Sequence, residues 1–325
     1  MAEEARRREN KSVTGGVLVI GSANVDVSVS TPRLPLAGET VLGDSSLVSG
    51  GGKGANQALA AARCGAETRF MGRVGEDAFG QLVREALVAA GVDTTALEAV
   101  PGAATGLAAI CVDGEGQNCI VVVPGANLTL RPEDIEARAS LLRSAAVVVL
   151  QCEIPLETVY RSVEIAAAAG TPVILNPAPC GELDLARLPR GVTYLIPNET
   201  EAAALAGRTA SDTAGMLAVA RQLHHGGVDC VILTRGERGC LIVDEREPRF
   251  VEALAVTAID ATGAGDAFVG CLAASLVQGY GRDEAVRRAV VYASLSTTRR
   301  GAQRSYPSAT DLEREWARAR AGKRD

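Results

Sequence analysis

The chain has 325 residues, of which 47% are hydrophobic and only 3% aromatic, and its formal net charge is −6. This acidic balance argues against a nucleic-acid-binding surface, and no apolar run approaches the ~20 residues that a membrane span needs. A chain of this size is long enough for one large α/β domain, whose core must be built mainly from Ala, Val, Leu and Ile.

The amino-terminal segment and the cysteines indicate where the protein works. Residues 1–14 mix Glu with Arg and lack an apolar stretch, so they do not form a secretory signal, and we expect a disordered leader before one domain over residues 15–325. The eight cysteines are scattered without a C-x-x-C pair, and the only histidines are adjacent. This pattern favours small buried side chains in a reducing cytoplasm over disulfides or a zinc site.

Strand-like apolar runs alternate with helical patterns along most of the chain. The strand-like runs occupy Val17–Ile20, 145–150, 172–175, 194–196 and 230–233. The helical patterns occupy 55–64, 80–90, Leu156–Ala169, 216–224 and a charged C-terminal stretch over Ala309–Ala321. The alternation predicts an α/β fold with a mostly parallel central sheet and helices on both faces.

Two stretches break the alternation and predict a separate small β-sheet. Residues 27–48 alternate between polar and apolar types and are interrupted by prolines and glycines, whereas residues 105–123 fit a hairpin around a Gly-rich turn at 113–116. We interpret the strands within about 24–49 and 105–123 as a lid that closes over a site. Its exposed edges would be protected by pairing two lids across a two-fold axis, so we expect a homodimer.

Polar turns follow the predicted strands, at the edge of the sheet where ligands of α/β proteins bind. After the first strand, Asn24 and Asp26 share a side-chain direction if the segment is extended, and an amide with a carboxylate can grip vicinal hydroxyls. An Asx-type turn explains these two residues equally well. Similar turns at 151–153, 198–201 and 234–239 follow later strands, so together they indicate one site.

Two glycine-rich segments precede predicted helices. The segment 50–57 is not a Walker A loop, because Leu47 and Gly54 occupy positions where that loop needs Gly and Ser or Thr. The segment 260–266 combines small residues at a helix start, which favour an anion, with the carboxylate of Asp266. An anion site with its own carboxylate suggests phosphoryl transfer, in which the carboxylate takes a proton from a hydroxyl. A capped helix is the alternative explanation.

The motifs 51–57 (GGKGANQ) and 261–266 (ATGAGD), supported by 176–179 (NPAP), 197–201 (PNETE) and 301–305 (GAQRS), resemble those of the ribokinase-like carbohydrate kinases. The resemblance covers residues 17–307 and implies ATP-dependent phosphorylation of D-ribose at O5. The alternatives are a kinase for deoxyribose, fructose or adenosine, and a non-catalytic sugar-binding protein. The absence of aromatic residues from 27–48 favours a pentose without a base.

The resemblance also implies roles for individual residues. Asp266 would be the general base, and Gly263, Ala264 and Gly265 would form the anion hole for the γ-phosphoryl group. The implied sugar contacts are Asn24, Asp26, Gly52, Lys53, Asn56 and Glu153, together with Asp266. The implied ATP contacts are Asn198, Thr234, Arg235, Gly236, Glu237, Arg238 and Gly239, together with Gly265.

Two cations are implied in the same way. Glu201 would position Mg²⁺, through water. An activating K⁺ would lie beside the anion hole, at Asp260, Thr262, Ser296, Arg299, Gly301 and Ser305, several of them through backbone carbonyls. The alternative is that these carbonyls only cap helices. Residues 290–293 (VVYA) depart from relatives that place Asn or His beside the adenine, which leaves the base preference open.

Overall fold

The computed structural model describes residues 15–181, 183–210 and 212–321, so the expected disordered leader at 1–14 lies outside the described residues. The strands are β1 (Val17–Ile20), β2 (Asn24–Ser30), β3 (Ser45–Gly51), β4 (Thr68–Gly75), β5 (Asp93–Val100), β6 (Gly106–Val112), β7 (Asn118–Val123), β8 (Val147–Leu150), β9 (Val173–Leu175), β10 (Val192–Leu195), β11 (Cys230–Thr234), β12 (Cys240–Val243) and β13 (Arg249–Val251). The helices are α1 (Lys53–Arg63), α2 (Ala78–Ala89), α3 (Pro132–Ala137), α4 (Ala139–Ser144), α5 (Leu156–Ala169), α6 (Glu199–Leu205), α7 (Thr213–His225), α8 (Ala264–Val277), α9 (Arg282–Ser296) and α10 (Ala309–Ala321).

The larger sheet has the strand order β13-β12-β11-β10-β9-β8-β1-β4-β5 and is parallel from β11 to β5, which confirms the predicted fold class. Its central strands β1, β8 and β9 are buried throughout, as their unbroken apolar sequences require. One hydrophobic core lies between the sheet and α1, α8 and α9. A second core lies on the opposite face, under α5 and α7.

The smaller sheet, which we call the lid, has the order β3-β2-β6-β7 and confirms the two predicted β segments. Its hairpin β6–β7 turns through Gly116 at a φ of 81°, a conformation that glycine adopts without strain. The last lid strand, β7, is exposed along its whole length. The lid therefore has little core of its own.

The sequence did not predict strands β4, β5, β12 and β13. The apolar run of β4 is interrupted by Arg69 and Arg73, which hides its strand pattern. The structure places both arginines beside acidic partners: Arg69 Nε lies 2.6 Å from Asp93 Oδ2, and Arg73 pairs with Glu98. The cation is therefore tolerated because a carboxylate on the neighbouring strand accompanies it.

The cysteine prediction is correct for only half of the thiols. Cys64, Cys230, Cys240 and Cys271 are buried and unbridged. Cys111, Cys152 and Cys180 are only partly buried and Cys119 is exposed, because their elements lie at the lid or at the rim rather than in the core. Among the residues that the structure describes, no helix is long and apolar enough to cross a membrane.

Candidate active site

The predicted polar turns converge at one rim of the central sheet. Glu153, which follows β8, accepts a hydrogen bond from Ser22 Oγ at 2.5 Å and from the backbone N–H of Lys53 at 3.1 Å. Asn198, after β10, pairs with Thr234 at the end of β11. Glu153 therefore links the turn after β1 to the start of α1. The bridge between Asn198 and Thr234 separately links the ends of β10 and β11.

The glycine run before α1 fits a place where side-chain and backbone atoms approach closely. An added Cβ at Gly51 would lie 2.2 Å from Asp26 Oδ1, and one at Gly52 would lie 2.8 Å from the backbone N of Asn24. Gly52 also has a φ of 86°. The glycines therefore let the start of α1 lie directly against the lid strand that carries Asn24 and Asp26.

Asp266 lies in the first turn of α8. The preceding Gly263 has a φ of 76°, and a Cβ there would lie 2.7 Å from Ala302 Cβ and 2.8 Å from the Tyr306 hydroxyl. At Gly265, in contrast, an added Cβ would meet nothing within 4 Å. The helix N-terminus thus combines a fixed turn with open space, where its N–H groups and dipole favour an anion.

Side-chain amides hold the Asp266 carboxylate on both oxygens. Asn56 Nδ2 donates to Oδ2 at 3.0 Å and Gln57 Nε2 donates to Oδ1 at 2.9 Å. Two further amides fix these donors: Gln303 Nε2 donates to Asn56 Oδ1 at 3.0 Å, and Gln151 Nε2 donates to Gln57 Oε1 at 2.6 Å. We call these four side chains the amide cradle.

The carboxylates around the rim shift each other's protonation. Burial raises the pKa of Asp266, although Lys53 and the hydrogen bonds from Asn56 and Gln57 oppose that rise. Burial, with the negative charges of Glu153 and Asp266, raises the pKa of Asp26 to about 6. Burial lowers the pKa of Lys53, but the neighbouring carboxylates outweigh it, so the net pKa is raised and Lys53 stays charged.

The lid is anchored to the rim by Asn127, in the turn after β7. Its Nδ2 donates to Asn24 Oδ1 at 2.7 Å and to the carbonyl of Pro124 at 2.8 Å, while its Oδ1 accepts from the backbone of Ala23 at 2.8 Å. Because Asn127 engages the oxygen of Asn24, the Asn24 amide is oriented to present its N–H₂ group elsewhere.

The predicted nucleotide side lies at the ends of β10 and β11. Asn198 and Glu201 cap α6 reciprocally, with Asn198 Oδ1 accepting from the N–H of Glu201 at 2.8 Å and Glu201 Oε2 accepting from the N–H of Asn198 at 2.9 Å. Burial raises the pKa of Glu201. Arg235 is buried and Arg238 exposed, and both pair with Glu199, at 3.3 and 2.7 Å. The turn Gly236–Arg238 leaves its backbone at the rim.

The predicted cation loop is assembled around Asp260. Its Oδ1 accepts from the N–H of Thr262 at 2.9 Å and its Oδ2 from the N–H of Gly301 at 2.8 Å. Burial alone would raise the pKa of Asp260, but these hydrogen bonds hold it below its usual value. Ser296 and Ser305 are buried and donate to carbonyls of their own turns, whereas Arg299 is exposed.

Hard cations such as Mg²⁺ and K⁺ prefer oxygen ligands, which both predicted sites offer. Within the described ranges, no three or more His, Cys, Asp or Glu side chains cluster as a metal site. Mg²⁺ commonly needs only one or two carboxylates when phosphates supply its other ligands, so the side chain of Glu201 fits that ion. For K⁺, the donor set consists of the Asp260 carboxylate, hydroxyls and backbone carbonyls.

Sequence reasoning assigned no role to Gln57, Gln151, Gln303 or Asn127. The three glutamines lie within segments already singled out, and Gln57 and Gln303 also follow glycines closely, so their positions were an available signal. Asn127 follows an exposed strand and carries no local signal. Only the tertiary contact with Asn24 reveals its role.

Comparison with known proteins shows the family of the chain. The model of the pfkB family carbohydrate kinases matches residues 15–309. A deoxyribokinase of Salmonella typhi is 39% identical over 293 residues, which cover 90% of this chain and 95% of that protein. Mouse (Mus musculus) ribokinase is 38% identical over 316 residues, covering 95% and 97%.

A solved ribokinase structure is also similar to this chain. Arabidopsis thaliana ribokinase, complexed with ribose and ATP, superimposes with a TM-score of 0.87 at 33% identity, covering 93% of this chain and 99% of that one. The chain belongs to the pfkB family of carbohydrate kinases, which confirms the resemblance drawn from its motifs. It is a ribokinase-like sugar kinase.

Proposed function

We propose that this protein transfers the γ-phosphoryl group of ATP to O5 of D-ribose, with Asp266 as the general base. The observation that carries the proposal is the buried carboxylate of Asp266, in the first turn of α8. Two side-chain amides from α1 hold it, and the space beside Gly265 is open. The same helix end offers N–H groups to the charge that develops on the phosphoryl group.

The amide cradle sets the geometry of proton removal. Each oxygen of Asp266 accepts one hydrogen bond from the cradle and keeps a further lone pair for a sugar hydroxyl. Burial makes the carboxylate a stronger base than an exposed aspartate, because it raises the pKa. The proton of O5 passes to Asp266 as the oxygen attacks phosphorus.

The remaining proposed sugar contacts belong to the lid, to the start of α1 and to the turn after β8. Asp26 and Glu153 accept hydrogen bonds from hydroxyls, and Asn24, Lys53 and Asn56 donate to sugar oxygens; Gly52 gives the sugar access to the backbone. The close relation to the Salmonella deoxyribokinase supports 2-deoxy-D-ribose as the second candidate substrate.

For the nucleotide, we assign ATP to the rim formed by Asn198 and residues 234–239. ATP and ribose are bound in the similar Arabidopsis structure. Glu201 would hold Mg²⁺ through water, and the ion would neutralise phosphate charge when bound. K⁺ beside Asp260 would stabilise the loop that leads into α8.

We also propose that the protein is a homodimer joined through the lid. Four consecutive apolar residues of β7, residues 120–123, are each about half exposed, between 49% and 61%. An edge strand with this sequence invites association with other chains unless it is covered. A second copy of the lid supplies a matching apolar surface.

The test is an ADP-release assay with D-ribose, 2-deoxy-D-ribose, D-fructose and adenosine, each in K⁺ and in Na⁺. We expect the highest kcat/KM with D-ribose, a higher rate in K⁺, and a product whose phosphorus couples to the C5 protons by nuclear magnetic resonance. A preference for 2-deoxy-D-ribose would support the second candidate. Phosphorylation at the anomeric oxygen would refute the assignment of O5.

A further inference from the structure

Two cysteines face each other near the turn end of the lid hairpin. Cys111 on β6 is the direct register partner of Cys119 on β7. Cys119 is exposed and Cys111 is partly exposed, unlike the buried thiols of the core. The two thiols therefore lie together at the surface.

The Cα separation expected for this pair falls within the range that a disulfide spans. Directly opposite residues of antiparallel strands have side chains on one face and Cα atoms about 4.5–5.5 Å apart. Disulfides join Cα atoms about 4.4–6.8 Å apart. Their Cβ atoms must come about 1 Å closer than in a typical facing pair. Within one chain, strand β7 ends the sheet and among the described residues pairs only with β6, so it can make this movement at Cys119. The dimer contact proposed above is assigned to residues 120–123 and does not include Cys119.

The pair is separate from the sugar site. Asp26 is the register partner of Ala108, and Cys111 lies three residues further along β6. Successive side chains of a strand point to opposite faces, so Cys111 and Cys119 lie on the lid face opposite to that of Asp26. Their chemistry is therefore independent of the proposed catalytic residues.

We propose that Cys111 and Cys119 form a reversible dithiol–disulfide pair that is oxidised by small-molecule disulfides such as glutathione disulfide. The thiolate of Cys119, the more exposed of the two, attacks one sulfur of glutathione disulfide, whose S–S bond breaks and releases one glutathione thiolate. The thiolate of Cys111 then attacks the Cys119 sulfur and releases the second glutathione. The protein loses two electrons and glutathione disulfide gains them; the two thiol protons end on the released glutathione.

The sequence permits a direct test by peptide mapping. No Lys or Arg lies between Arg84 and Arg131, and Pro132 protects the latter bond, so trypsin yields one peptide, 85–138, which contains these two cysteines alone. After treatment of the folded protein with glutathione disulfide, we expect this peptide to be lighter by two hydrogen atoms. Cleavage after Glu115, between the cysteines, should leave the two halves joined until a thiol reductant is added.

Single variants make the result specific. Cys111→Ser and Cys119→Ser should each abolish the internal link, whereas Cys180→Ser, which removes another partly exposed thiol, should leave it unchanged. We also expect slower amide exchange in β6 and β7 of the oxidised protein. An unmodified peptide, a persistent glutathione adduct on wild-type Cys119, or a link between two copies on a non-reducing gel would each overturn the proposal.

Discussion

The floor of the site, by which we mean Asp266 and the amide cradle, is buried, whereas the lid is largely exposed. On the floor, Asp266 is 7% exposed and is held by side chains that are themselves hydrogen-bonded. In the lid, every residue of β7 is exposed, and the buried residues are confined to the ends of β2, β3 and β6 that lie nearest the rim. Local stability follows burial and contact density, so the floor is expected to be rigid and the lid to open more readily.

This difference separates two tasks of a kinase. The proposed base, Asp266, must keep a fixed geometry, which the buried amide cradle provides. The lid residues proposed to enclose the sugar must let it enter and leave, which a weakly packed sheet allows. Asn127 joins the two regions through its hydrogen bond to Asn24.

The sharpest test of the floor compares two glycines at the start of α8: Gly263, which precedes the helix, and Gly265, in its first turn. Gly265→Ala should lower kcat at least 100-fold, because its methyl group would occupy the space proposed for the phosphoryl group. The free energy of unfolding should change by less than ~1 kcal/mol, because the methyl group meets no protein atom within 4 Å. Gly263→Ala should lower the free energy of unfolding by about 1–3 kcal/mol, because φ is positive and the methyl group meets Ala302 and Tyr306. Urea unfolding and steady-state assays distinguish them. Full activity of Gly265→Ala would disprove the anion hole.

On the lid, Asp26→Asn should weaken D-ribose binding about 10- to 100-fold, because a charge-assisted hydrogen bond is lost. The same variant should stabilise the sugar-free protein at pH 7. The folded pKa of Asp26 is about 6 against an ordinary 3.8, so the folded state binds the proton more tightly, and ionisation destabilises it as the pH rises from about 4 to 6.

The expected gain for Asp26→Asn is at most about 3 kcal/mol above pH 6 and disappears below pH 4, where the aspartate is protonated in both states. Calorimetric titration with D-ribose and urea unfolding at pH 4 and 7 measure the two effects. Asp44→Asn, in an exposed lid loop, is the control and should change neither. Equal stability of Asp26→Asn and wild type at pH 7 would contradict the electrostatic account.

The amide cradle predicts a smaller effect, on pH dependence. Gln57→Leu removes a donor to Asp266, so the pKa of that carboxyl should rise and the acidic limb of kcat/KM should move upward by on the order of one pH unit. Gln151→Leu is the matched control: it leaves both direct donors in place. Both variants should lose about 1–3 kcal/mol of stability through unpaired buried groups. If both profiles move equally, Gln57 has no specific positioning role.

The exposed edge strand β7 leads to a prediction about assembly: a charge placed on it should separate the two copies of the proposed dimer without changing the fold. Ile120→Lys should convert the proposed dimer to a monomer in sedimentation velocity, because a charge enters the apolar surface of β7. Val88→Lys, on the exposed side of α2, should leave the dimer intact. A wild-type monomer at micromolar concentration would refute the lid-mediated dimer.

The sequence predicted the central sheet and the lid well because their signals are local. Helix Leu156–Ala169 and strand Val17–Ile20 were located to the residue, since apolar periodicity alone defines them. Strand β4 was missed because Arg69 and Arg73 interrupt its apolar pattern, and their partners lie on another strand.

The site was predictable only in part. Glycine motifs pointed to Asp266 and to the start of α1, which the structure brings into contact, but the contacts of Gln303 and Asn127 are with residues more than 100 positions away along the chain. The prediction that the cysteines are buried failed at Cys119, where an edge strand of apolar sequence remains exposed. Burial in such a strand is decided by what packs on it, which its own sequence does not specify.

The most direct test measures D-ribose affinity and ATP-dependent turnover of Asp266→Asn beside wild type. The account predicts that kcat falls by about 10³-fold or more, because the base is lost, while the calorimetric Kd for D-ribose stays within about fivefold, because the lid contacts remain. Retention of wild-type turnover by Asp266→Asn would show that another group removes the proton and would contradict the central assignment.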